Sequence, residues 1–148
     1  RAGLAAGGLS EANIVFSQDA EWLREKALPA AAAAFQAHPD IDVVYGHNDP
    51  MAEGAYIAAG DAGVDLADVL FVGIDALPTP DGGIMSVLEG RLDVTHVYPT
   101  GGKQAIEWAH SILVDHVNPP LWLVLPFEQV TADNAQDVCN AYSCPAAK

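Results

Sequence analysis

The sequence predicts an α/β fold, a three-layer sandwich around a mostly parallel, doubly wound (Rossmann-like) sheet. Three observations predict it. Strand-like and helix-like segments alternate four times with short connections, as parallel strands joined by crossover helices must. The 148 residues suit one ordinary domain, which buries roughly 70% of its unfolded surface in a single core. Two apolar runs, DVVYGHND at 42–49 and VLFVGID at 69–75, each end abruptly in polar side chains. Ligands of open parallel sheets bind just outside the carboxyl ends of the strands, so these two ends mark where function should be sought.

The elements follow in order. Leu4 and Leu9 lie among alanines and glycines, as on a short helix already under way. Asn13–Gln18 (NIVFSQ) reads as a strand and Asp19 as the N-cap of an alanine-rich helix from Ala20 to about Ala37, which Pro29 should kink. Asp42 to Gly46 is the next strand, and a helix from Pro50 to about Ala62 ends at Gly63. Val69–Asp75 is the third strand. A helix starting near Pro80 carries Ile84, Met85, Val87 and Leu88 and stops at Gly90, before a fourth strand over Asp93–Tyr98. Thr100 should cap a helix to about His116 whose Ala105, Ile106, Ala109, Ile112 and Leu113 form a stripe at spacings of three and four. Asn118, Pro119 and Pro120 break it, Leu121–Leu125 is a short apolar run, and TADNAQDV from Thr131 begins a last short helix.

Composition narrows the function. Six Lys and Arg against twenty Asp and Glu give a net charge of -14, which repels phosphate backbones and anionic membrane surfaces. Nucleic acid is therefore not expected as a partner, nor is membrane insertion, since no apolar run approaches the 18 residues of a span. Cys139 and Cys144 are too few for a structural zinc site and form no CxxC motif, leaving a small disulfide or two free thiols. HExxH, GxSxG and Walker patterns are absent, so neither catalysis nor a metal or cofactor is expected. His38 and His116 close helices and His96 lies in a strand, all structural places, and Gly101–Gly102 reads as helix entry.

At the strand ends, some polar residues are already engaged by helix caps. Asp49 precedes Pro50, the favoured first helical residue, and is expected to be the N-cap. Asn48, one position earlier, then has both donor and acceptor groups to offer a ligand. Asp75 is likewise left at the mouth of the sheet, because Thr79 and Pro80 supply the next helix with its own cap and start. Trp22 should lie in the first turn of its helix on the same edge, where an aromatic face can stack on the C–H face of a sugar or serve as ordinary packing.

The segments SQDAEWLREKA, HPDIDVVYGHNDPMAEGAYIAAGDAG, VLFVGIDALP, VLEGRLDVTHVYPTGGKQAIEWA and LPFEQVTADN together resemble periplasmic sugar-binding proteins of the ribose-binding type. The run HND, a small-residue helix and then VGID also resembles the effector domains of LacI-type repressors. The resemblance implies one lobe of a two-lobe binding protein: residues 1–148 as the C-terminal lobe, with the N-terminal lobe and a first strand absent. It implies a monosaccharide held in the interlobe cleft, an ABC importer permease as partner and a periplasmic or extracellular location, with lipid anchoring of a longer protein compatible. Trp22 falls where the family stacks an aromatic on the sugar, Asn48 where an amide bonds hydroxyls and Asp75 where a carboxylate accepts from them. Tyr98 stands where a Gln or Glu often contacts the ligand, and Arg1 lies near the place of a binding arginine without aligning cleanly. The alternative is a sensory or effector domain of the same fold, a signalling co-receptor or a repressor domain; a hydrolase using His47 and Asp49 is the third reading.

Overall fold

A computed structural model describes residues 2–145. Its strands are β1 (Val43–Tyr45), β2 (Leu70–Val72), β3 (Val94–Val97) and β4 (Glu128–Thr131), and its helices are α1 (Ala2–Ala6), α2 (Arg24–Ala37), α3 (Asp49–Asp61), α4 (Gly83–Leu88), α5 (Gly102–Leu113) and α6 (Ala135–Tyr142). The sheet order is β1-β2-β3-β4. β1, β2 and β3 run parallel, and β4 returns antiparallel beside β3. This is the α/β class with a mostly parallel sheet that the alternation predicts. The β1–α3–β2–α4–β3 path steps across the sheet in one direction, so the carboxyl ends of the three parallel strands lie side by side along one edge.

Burial follows the pleat. Val44 and Phe71 are partners in register and turn into the core, whereas Val43, Tyr45 and Leu70 lie on the opposite face and are exposed. Phe71 meets Tyr56 of α3 edge to face, with ring centroids 5.3 Å apart, and Ile84, Met85 and Val87 of α4 close the same core with Val130 and Val138. The alanine-rich faces of α2 and α3 pack closely because Gly54 presents no side chain. A Cβ there would stand 2.8 Å from the Arg24 carbonyl oxygen and 3.2 Å from the Ala27 methyl. Gly54→Val should therefore destabilise the fold by about 2 kcal/mol through overpacking, and an unchanged urea midpoint would show that α2 can shift at no cost.

Several sequence expectations need correction. Residues 14–20 join no strand, and Ile14 and Val15 are exposed. A β-prone segment becomes a strand only when an edge pairs with it, and this one has no ladder partner. α2 starts at Arg24 because Glu21 and Trp22 adopt positive φ (50° and 64°), closing a turn in which Asp19 accepts from the Glu21 N–H rather than capping the helix. α2 then runs through Pro29. Thr79 and Pro80 sit in a turn, and α4 begins after Gly82; α5 is entered through Gly101 at φ 72°, not capped by Thr100. No strand is expected at Glu128–Thr131, yet these residues form β4, while the apolar run Leu121–Leu125 joins no strand or helix. The apolar stripe of α5 faces outward, with Ile106 and Leu113 about three-quarters exposed.

Candidate functional site

The polar residues ending β1 have duties that the sequence alone does not separate. Asn48, not Asp49, is the N-cap of α3: its Oδ1 accepts from the Met51 N–H at 3.0 Å. Its Nδ2 donates to the Trp22 carbonyl oxygen at 3.0 Å. One amide hydrogen and a second oxygen lone pair remain for another partner. Asn48 is thus nearly buried, and it ties the Trp22 turn to the end of β1. The Trp22 ring is 62% exposed and lies 6.3 Å from the His47 ring, which meets Tyr45 edge to face at 5.2 Å. A short row of flat side chains therefore lines this part of the edge.

Asp49 is the first residue of α3 and is only 2% exposed. Its two carboxylate oxygens accept from different elements, Oδ1 from the Thr95 hydroxyl of β3 at 2.6 Å and Oδ2 from the Ala76 N–H after β2 at 2.8 Å. Gly73 and Gly83 crowd this carboxylate so closely that a Cβ at either would overlap it. Burial pushes the Asp49 carboxyl up to about 6, against the two hydrogen bonds, which favour the ionised form; the nearby Asp75 and Glu53 carboxylates add to the rise. It is the hydrogen-bonded junction of the ends of β1 and β2 with β3.

Asp75 follows β2 and is half-buried. Its backbone φ is 115° and that of Ala76 is 50°, a region that costs an L-residue about 1–3 kcal/mol and is commonly retained where it serves a site. Its N–H donates to the His96 carbonyl oxygen at 3.0 Å, forming a parallel bridge with Val97. Partial burial raises the Asp75 carboxyl above the ordinary range. Asp75 and Tyr98 line one depression of about 460 Å³, together with Leu77, Thr100, Phe127 and Glu128. The Tyr98 ring is 66% exposed, free to lie over a ligand.

The four predicted residues therefore fall into two pairs on the same sheet edge, Trp22 with Asn48 and Asp75 with Tyr98. Asp49 joins the pairs, since its N–H donates to the Ile74 carbonyl oxygen at 2.8 Å while its carboxylate holds Ala76. Arg1 lies outside the described residues. Sequence reasoning missed Asp49 and Thr95 as the supports of this edge, and Phe127 and Glu128 as its wall. Thr95 carries no local signal, being one polar residue in a strand.

A second charged cluster is structural. Glu53, one turn along α3, is buried and paired with Arg24 and Arg91, and it accepts from the Ser86 hydroxyl. It pins the start of α2 and the end of α4 to α3. Among the described residues no group of three or more His, Cys, Asp or Glu side chains could hold a metal ion, and no helix is long and apolar enough to cross a membrane. Cys139 and Cys144 are free thiols, and burial together with the Cys139 thiol beside it pushes Cys144 up to about 11.

No family model matches the chain. It is similar to the ribose import binding protein RbsB of Salmonella typhimurium, 42% identical over 103 residues that cover 68% of this chain and 33% of the relative. The chain thus spans about a third of the length of the curated relatives it matches. Among solved structures it is similar to the fructose binding periplasmic domain of a hybrid two component system, with TM-score 0.78 and 38% identity over 84% of this chain and 41% of that one. It is also similar to the Caulobacter myo-inositol binding protein, with TM-score 0.74 and 29% identity over 92% of this chain and 46% of that one.

Proposed function

We propose, from the premise that the chain belongs to the periplasmic sugar-binding proteins of the ribose-binding type, that it is the C-terminal lobe of a receptor that captures a monosaccharide-like solute between two lobes for an ABC importer. It acts outside the cytoplasm, in the periplasm or at the cell exterior, and binds its ligand without transforming it. The permease and an N-terminal lobe are its partners. The observation carrying the reading is the placement of Asp75, held at an unfavourable φ beside the Tyr98 ring at the carboxyl edge of the sheet. Affinity in such a site comes from a few convergent polar groups and aromatic stacking in a desolvated cleft. Asp75 supplies an acceptor for hydroxyls, Asn48 an amide and Trp22 a stacking face, while Tyr98 alters the hydroxyl pattern relative to a Gln or Glu.

Calorimetric titration of the full-length protein with D-ribose, D-allose, D-fructose and myo-inositol should give saturable binding of at least one. No heat with any of the four would count against the reading. Trp22→Ala should weaken that binding about tenfold, in keeping with about 1–1.5 kcal/mol for an aromatic contact, and unchanged affinity would remove Trp22 from the site. One similar structure is part of a two component system, so a sensory role on the same fold is the second reading. Loss of sugar uptake on deletion of the gene favours the importer, whereas loss of transcriptional response with uptake intact favours the sensor.

A further inference from the structure

We propose that Asp49 is a positioning residue for Asp75, bracketing it from both sides and holding its carboxylate in the ligand-facing conformation. The inference rests on the sugar-binding reading of Asp75. The geometry is specific. The Asp49 N–H donates to the carbonyl oxygen of Ile74 at 2.8 Å, and its Oδ2 accepts from the N–H of Ala76 at 2.8 Å, so the residues immediately before and after Asp75 both end on Asp49. Between these two anchors Asp75 holds φ 115° and Ala76 φ 50°, conformations that L-residues leave when released.

Asp75 itself has two further backbone hydrogen bonds, while the Ala76 methyl is buried in the core. The Asp75 N–H reaches His96 at 3.0 Å, but its carbonyl accepts from the Tyr98 N–H only at 3.4 Å, at the long end of hydrogen bonding. Asp49 cannot move away to another partner. Its other oxygen is held by Thr95 at 2.6 Å, and Gly73 and Gly83 enclose the carboxylate where any side chain would collide with it. An enclosed residue that carries the ligand group on its own hydrogen bonds transmits its position to the site without touching the ligand.

The test compares stability, affinity and amide exchange in the full-length protein, with the sugar panel above as probe. Asp49→Ala removes the acceptor and should weaken binding at least tenfold at a temperature where the variant is fully folded, and speed exchange of the Ala76 amide in the ligand-free protein. Asp49→Asn is the conservative rescue. Its side-chain oxygen can still accept from Ala76 while its amide donates to the Thr95 hydroxyl, so affinity and slow exchange should both return to within about threefold of the parent. A purely structural Asp49 would lower stability in Asp49→Ala and leave the affinity of the folded protein as it was, which overturns the proposal; so would an Asp49→Asn variant as weak as Asp49→Ala. Should Asp49→Ala not fold, Asp49→Leu, of similar shape and without an acceptor, takes its place, and unchanged Ala76 exchange together with unchanged affinity there overturns the proposal equally. If the parent protein binds none of the sugars, or binds one with an affinity that Asp75→Ala leaves unchanged, the functional reading fails, and Ala76 exchange in Asp49→Ala still decides whether Asp49 holds the turn.

Discussion

Asp75→Ala is expected to weaken sugar binding by the full-length protein about a hundredfold, the largest loss at any residue of this edge. A hydrogen bond to a charged group contributes about 1.5–3 kcal/mol, and a carboxylate facing a sugar commonly accepts more than one hydroxyl. Its placement adds to the effect, because Asp75 lies at a φ of 115° that costs about 1–3 kcal/mol and is held in advance of any ligand. Asp75→Asn should fall between the two, keeping one acceptor and losing the charge. The raised Asp75 carboxyl gives the pH dependence its sign: the ionised form is the acceptor, so affinity should fall as pH drops toward the Asp75 pKa. Calorimetry of both variants at pH 7 is the check, and an affinity within threefold of the parent in Asp75→Ala would remove this residue from the site.

The second large effect is on stability and comes from Asp49. Its carboxyl is held at about 6 in the folded protein against an ordinary 3.8, which corresponds to about 3 kcal/mol between the two protonation states. Because the folded pKa lies above the unfolded one, the folded state binds the extra proton between the two values. The stabilisation is therefore fully present below 3.8 and is lost as pH rises through about 6. Urea denaturation should find the parent gaining about 1 kcal/mol relative to Asp49→Asn when the pH is lowered from 7 to 5, since the variant has no proton to bind there. Parallel pH profiles for the two proteins would show that the buried carboxylate titrates at its ordinary value. Other carboxylates change in the same range, and for that reason the difference between the two proteins is the measured quantity.

Much of the fold is legible in the sequence because its determinants are local. The helix that follows DVVYGHND is marked by Pro50 at its start and Gly63 beyond its end, and α3 occupies Asp49–Asp61. The Val-rich runs around Val44 and Phe71 form neighbouring parallel strands. Segments whose form depends on a neighbour were not legible. Residues 14–20 have the composition of a strand and no edge to pair with, while EQVT at 128–131 looks unremarkable and becomes β4 because β3 offers it an antiparallel ladder. The stripe on α5 is correctly spaced for a helix, yet spacing cannot say what covers it.

The candidate site divides in the same way. The sequence by itself determined where the polar groups stand: Asn48 and Asp75 at the ends of strands that share one sheet edge, with Trp22 and Tyr98 near them. The tertiary structure alone decided their duties. Judged by Pro50 the cap should be Asp49, but Asn48 caps α3 and Asp49 turns inward, because its acceptors are claimed by Ala76 and Thr95, which are 27 and 46 residues further along the chain. A carboxylate one residue from a helix start is free to choose between local and distant donors, and the distant pair prevails once folding has brought β2 and β3 alongside β1 and excluded water from the junction.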